Sequence, residues 1–170
     1  FKTSDVDETF AHLKSLDMDG DPPKAFTRPV QLPDGAADAS FRTVAVQSGI
    51  FPGGRVYYCE HHTPELIWRP EWQSHANGAQ AMPEFVVAST DHEREAENFA
   101  RLLHSDVAGA GDSLGVAYNG GQISVMTPDA YGERYGELAS PVAGRSSFFG
   151  ALVMRADSLD KIRGVVAGMA

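Results

Sequence analysis

The chain has 170 residues and a formal net charge of −9, and 42% of its residues are hydrophobic, values that are ordinary for a folded domain. No stripe of Lys and Arg is present, which argues against nucleic acid as a partner. No apolar run approaches the about 20 residues of a membrane helix, which argues against a membrane partner. Cys59 is the only cysteine, so no disulfide can form within the chain, and we expect a reducing, cytoplasmic location.

Three segments share one pattern: the end of a strand, a polar cap and then apolar side chains at helical spacing. The caps are Asp5, Asp91, and Asp157 with Ser158. Strands over 85–89 and 148–155 precede the second and third caps. Because the chain starts near a strand end and stops after a helix, we expect the first and the last unit to be truncated.

Between these units the sequence predicts further strands. Those over 26–32, 41–47 and 55–62 follow the first helix, and a hairpin over 114–127 follows the second. The GAGDSLG stretch at 109–115 reads as a flexible connection, because it follows a helix and opens a strand, unlike a dinucleotide-binding loop. Residues 73–83 and 132–147 read as linkers. We therefore predict a first βαβββ module over 1–72 with a truncated first strand, a second βαββ module over 84–131, and the start of a further βα unit over 147–170.

Residues 57–72, YYCEHHTPELIWRPEW, gather the chemically active side chains of the first module. Alternate side chains of a strand share a face, so Glu60 and His62 point to one side and Cys59 and His61 to the other. The two adjacent histidines therefore cannot easily bind one metal ion, whereas Glu60 and His62 can. Cys59 is more typical of a small buried residue than of a nucleophile.

The run EHHTPELIWRPEW, followed by HANGA and set among βα units, resembles the glyoxalase-like domains of the vicinal oxygen chelate superfamily. This resemblance implies an α+β fold of paired βαβββ modules, whose curved mixed sheets surround a pocket. In metal-using relatives the ligands come from the first and last strands of a module. The metal then polarises a substrate with vicinal oxygens, in isomerisation, dioxygenation or group transfer.

The resemblance also implies candidate site residues. Glu60 and His62 fall in the ligand neighbourhood of the last strand, and Glu84 falls where relatives often carry His in the first strand of the second module. These three are the metal candidates for one divalent ion, Zn, Fe, Mn or Ni, and Glu60 and His62 are also the catalytic candidates. The equivalent place in the third unit is Gly150, which cannot ligate, so binding without a cofactor is the alternative.

The predicted substrate-binding residues are Tyr58, Trp68, Arg69 and Trp72. The aromatic side chains are candidate pocket walls, and the guanidinium of Arg69 suits an anion. An ion pair between Arg69 and Glu65 or Glu71 is an equally good interpretation.

We predict a protein that binds or transforms a small oxygenated metabolite between its modules, with or without a metal. As an enzyme it would be a lyase, isomerase or dioxygenase of bacterial type. The alternatives are a non-catalytic, resistance-type ligand-binding protein of the same fold and an interaction domain. A homodimer is left open.

Overall fold

A computed structural model describes residues 1–33 and 35–168 of the chain. The strands are β1 (Lys2–Thr3), β2 (Lys24–Leu32), β3 (Gly35–Ala45), β4 (Tyr57–His61), β5 (Ala79–Ser89), β6 (Val107–Ala110), β7 (Ser113–Tyr118), β8 (Gly121–Met126) and β9 (Ser147–Ala156). The helices are α1 (Val6–Ser15), α2 (His92–Leu103), α3 (Pro128–Tyr135) and α4 (Leu159–Ala167). The chain forms two compact units. Unit 1 comprises Phe1–Ile50 and Arg55–Gln73, and unit 2 comprises Phe51–Gly54 and the chain from Ser74 onwards.

Unit 1 is a four-stranded sheet in the order β1-β4-β3-β2, with α1 on one face. The first strand, β1, runs parallel to the last, β4, and the other pairs are antiparallel. The helix starts at Val6 because Oδ1 of Asp5 accepts hydrogen bonds from the backbone N–H groups of Asp7 and Glu8. Val6 and Leu13 of α1 are fully buried and form part of the core of this unit.

Unit 2 repeats this connectivity. Its five-stranded sheet has the order β6-β7-β8-β5-β9, and the first strand of the module, β5, runs parallel to its last, β8. Strand β9 adds antiparallel to the other edge of β5 and is followed by α4, so a third βα segment extends the second module. The predicted α+β fold of paired βαβββ modules with mixed sheets is confirmed.

Three details differ from the sequence prediction. GAGDSLG is not a flexible connection, because Gly109 and Ala110 end β6 and Ser113 begins β7 in a hairpin. All four residues of β6 are exposed, and all except Val107 are small. They therefore lack the apolar alternation that marks a strand. Strand β5 begins within the predicted linker 73–83. Helix α3 extends into the predicted linker 132–147, and its start carries a recognisable signal, since Thr127 caps it and Pro128 opens it.

The core of unit 2 lies on both faces of its sheet. On one face α2 packs with its buried Phe99, whose ring centroid is 4.2 Å from that of Phe51. On the other, Tyr131 of α3 packs against a cluster that includes Val86 and Phe148. Among residues 1–33 and 35–168, no helix combines the length and the apolar character needed to cross a membrane.

Candidate functional site

Glu60 lies on the face of the unit 1 sheet that α1 covers. Its Oε2 atom accepts a hydrogen bond of 3.3 Å from the backbone N–H of Val6, the first residue of α1. Arg42, directly opposite on β3, places Nη1 4.0 Å from the same oxygen. Arg42 also donates two hydrogen bonds, of 2.8 and 2.9 Å, to the carboxylate of Asp7 on α1, and these hold the pKa of Asp7 below its usual range. Glu60 therefore helps to fix the start of the helix.

Two other predicted residues share this face. Nε2 of His62 lies 3.6 Å from Oε1 of Glu60, so the structure brings the predicted pair together. Tyr58 packs its ring 5.5 Å, centroid to centroid, from that of Phe1, and burial raises its pKa to about 12. The phenol of Tyr58 therefore stays neutral across the physiological range.

Glu84 belongs to unit 2, where its carboxylate already has partners. Arg134 of α3 donates two hydrogen bonds to it, of 2.7 and 2.8 Å, and the hydroxyl of Ser124 donates a third. The bonds from Arg134 are the main reason that the pKa of Glu84 is lowered. Glu84 thus behaves as the acceptor in an ion pair between β5 and α3.

The described residues do not by themselves complete a metal site. Within residues 1–33 and 35–168, no three His, Cys, Asp or Glu side chains are grouped so that they could hold one. Glu60 and His62 supply two donors, and protein sites for zinc, for example, need at least three. The guanidinium of Arg134 contacts both oxygens of Glu84. It would have to move away before this carboxylate could bind a metal ion.

Arg69 and Trp72 form a small surface cluster. Nε of Arg69 donates a 2.5 Å hydrogen bond to Glu71, and its guanidinium carbon lies 5.5 Å from the ring centroid of Trp72. A backbone hydrogen bond, and then this contact with Arg69, lower the pKa of Glu71. Of the two interpretations of Arg69, the ion pair with Glu71 is the one that the contacts display.

The opposite face of the unit 1 sheet carries a continuous row of rings. Phe26 and Phe41 stack with centroids 5.1 Å apart, and Phe41 meets the edge of His61 at 5.1 Å and 86°. His61 in turn accepts a 3.1 Å hydrogen bond at Nδ1 from the indole N–H of Trp68. We call Phe26, Phe41, His61 and Trp68 the aromatic face. Phe41 is buried, whereas Phe26 and Trp68 are 39% and 52% exposed.

The aromatic face is flanked by positive charge. By strand register, Lys2, Lys24 and Arg28 lie on the same side of the sheet as these rings, whereas no Asp or Glu of β1–β4 does, although Lys24 is paired with Asp21. Arg28 places its guanidinium carbon 5.8 Å from the Phe26 ring centroid. Burial, and then the charge of Lys2, lower the pKa of His61, which favours the neutral imidazole.

The sequence prediction included only Trp68 from this face. Strand alternation could also have indicated Phe26, Phe41 and Arg28, because they lie in the strands predicted over 26–32 and 41–47. The contact between His61 and Trp68 was not, because it depends on the path of the chain after β4.

Comparison with known proteins supports the fold and names a family. No curated protein matches the chain. A solved structure, a hypothetical protein from Staphylococcus aureus, is similar in fold, with a TM-score of 0.61 at 8% identity over 74% of this chain. The match covers 50% of that protein, so the chain spans about half its length. A family model described as "Glyoxalase-like domain" matches residues 1–103. The chain therefore belongs to the glyoxalase-like domain family, of the vicinal oxygen chelate type.

Proposed function

We propose that the protein binds a small, oxygenated, anionic metabolite on the aromatic face of unit 1, in the cytoplasm. The observation that carries the proposal is the combination of exposed rings with Lys2 and Arg28 on one side of a sheet. Rings offer a flat apolar surface for the body of a ligand, and cationic side chains attract its charged oxygens.

Electrostatics supports an anion rather than a neutral or cationic ligand. The chain as a whole carries a net charge of −9, so its average surface repels anions. On the side of unit 1 that holds the aromatic face, the charged strand side chains are all positive. A local reversal of sign on an acidic protein is a reason to look for an anionic ligand there.

Binding without chemistry is the form of this function that the geometry supports best. Glu60, the predicted acid or base, faces α1 and is engaged by the N–H of Val6 and by Arg42. A divalent metal with Glu60 and His62 among its ligands stays a prediction from the family resemblance. Transformation of the ligand likewise stays a prediction.

The proposal is tested by titrating 15N-labelled protein with benzoate, a flat carboxylate, and with benzyl alcohol as its neutral counterpart. We expect backbone amide shifts in β2, β3 and β4 near the aromatic face with benzoate and weaker ones with the alcohol. Arg28→Gln should weaken benzoate binding by about two- to fivefold, as expected for one exposed charge contact. Arg163→Gln is the matched control, because Arg163 is an exposed arginine of unit 2 paired with Asp160.

Shifts of equal size with both probes would remove the anionic part of the proposal. Benzoate shifts confined to the Glu60 side of the sheet, or none up to millimolar concentrations, would remove the site itself.

A further inference from the structure

The hydrogen bond between Trp68 and His61 determines which nitrogen of His61 carries its proton. An indole N–H can only donate, so Nδ1 of His61, at 3.1 Å, must accept with its lone pair. A neutral imidazole with a bare Nδ1 carries its single hydrogen on Nε2. Nε2 makes no hydrogen bond to the described residues and is not fully buried, so it is accessible to solvent.

The ring of His61 is also held in orientation. Its plane is nearly parallel to that of the Trp68 indole, at 12°, and stands at 86° to the ring of Phe41. Two contacts in different planes leave the imidazole little freedom to rotate about its side-chain bonds. The Nε2–H bond is therefore held in one direction rather than averaged over several.

The chain after β4 brings the indole to this place. Pro64 begins a short 3-10 turn, and the backbone N–H of Trp68 donates a 2.8 Å hydrogen bond to the carbonyl of Pro64. The start of the turn is tied to β3, because the hydroxyl of Thr63 accepts a hydrogen bond from the backbone N–H of Ser40. The position of Trp68 is thus set by a hydrogen-bonded turn rather than by a loose loop.

We propose that Trp68 is a positioning residue that keeps His61 as a fixed Nε2–H donor on the aromatic face, and that the ligand supplies an acceptor oxygen to it. The contact with a ligand oxygen rests on the proposed function, whereas the positioning of His61 by Trp68 does not. While the Trp68 bond stands, Nε2 has no free lone pair, so His61 serves there neither as a metal ligand nor as a general base. This assignment gives the aromatic face a neutral, directional contact beside the charges of Lys2 and Arg28.

The first test determines which ring nitrogen of His61 carries the proton. Long-range 1H–15N spectra of 15N-labelled protein distinguish a ring nitrogen that carries hydrogen from one that does not, and His61→Gln identifies the His61 signals. We expect a protonated Nε2 and a bare Nδ1 in the unmodified chain. In Trp68→Phe, which keeps an aromatic ring but removes the donor, the Nδ1 signal should shift and part of the population should carry the proton on Nδ1. Trp72→Phe, the other exposed tryptophan, should leave both signals in place.

The second test adds benzoate. We expect the Nε2 signal to shift on binding, and Trp68→Phe to raise the Kd for benzoate by about two- to tenfold, the range for one hydrogen bond. A proton on Nδ1 in the unmodified chain, or unchanged nitrogen signals in Trp68→Phe, would overturn the positioning role. A bare Nδ1 together with an Nε2 signal that benzoate does not move would support that role and overturn the acceptor-oxygen contact. The amide shifts in β2, β3 and β4 would then decide separately whether the proposed function stands.

Discussion

Two neighbouring tyrosines of α3 should respond differently to loss of their hydroxyl groups. Tyr131 donates a 2.9 Å hydrogen bond to the carbonyl of Gly150 and accepts one of 3.1 Å from the backbone N–H of Ser140. The hydroxyl of Tyr135, whose ring centroid lies 5.0 Å away, is buried without a hydrogen-bond partner among the described residues. The two side chains are chemically identical and lie on one helix, so each serves as the control for the other.

Tyr131→Phe should lower the free energy of unfolding by about 1–3 kcal/mol. Each lost hydrogen bond contributes about 0.5–1.5 kcal/mol net, and the abandoned backbone groups lie beside a residue that is only 2% exposed. Tyr135→Phe should change this free energy by less than about 0.5 kcal/mol or raise it, because burying an unpaired hydroxyl is unfavourable.

The assay must report on unit 2. Both tryptophans, Trp68 and Trp72, lie in unit 1, so their fluorescence follows the other half of the chain. Hydrogen exchange of the amides in β5 and β9, measured against urea, follows the sheet on which Tyr131 packs. Equal destabilisation by the two substitutions would refute the reasoning, because phenylalanine keeps the ring at both positions and the difference in hydroxyl contacts would then have no effect on stability.

Two further predictions concern carboxyl groups at helix starts. Burial raises the pKa of Glu95 despite its hydrogen bonds with Ser89 and Ser147, so the folded chain holds this proton more tightly than the unfolded chain. The charged form then lowers stability above the folded pKa, and the effect disappears below the unfolded pKa. Glu95→Gln should therefore be more stable than the parent chain in urea at pH 7 but not in strong acid, and a difference that is independent of pH would contradict this. Asp5→Ala should cost about 1 kcal/mol, because two N–H groups lose their acceptor. Asp91→Ala should cost less in the same assay, because Asp91 makes no side-chain cap bond, and equal losses would contradict the capping argument.

The parts of the fold that follow from local chemistry were predictable from the sequence. The βα units are visible because a polar cap, helical spacing and strand alternation are short-range signals, as at Asp5. Strand β6 was missed because its exposed Gly and Ala residues bury nothing. Asp91 shows the limit of a local rule, since it occupies the cap position of α2 without a side-chain hydrogen bond to the helix.

The candidate site was predictable only in part. Strand alternation alone indicates that His61 and His62 have different partners, and in the structure one contacts Trp68 and the other Glu60. The alternation does not say which face receives α1. That depends on the contact between Glu60 and Val6, which lie 54 residues apart in the chain. The family resemblance, rather than strand alternation, therefore directed the sequence prediction to Glu60 and His62.

The short segment Phe51–Gly54 limits how the two units can be separated by cleaving the chain. It lies between β3 and β4 in the chain, yet it belongs to unit 2, where Phe51 packs against Phe99. Gly53 runs so close to β9 that an added Cβ would lie 2.7 Å from the hydroxyl oxygen of Ser147. A fragment beginning at Ser74 would therefore lose a ring from its own core. No single cleavage of the chain can separate the units cleanly, and a protease that nicks this segment should loosen α2 before it affects β4.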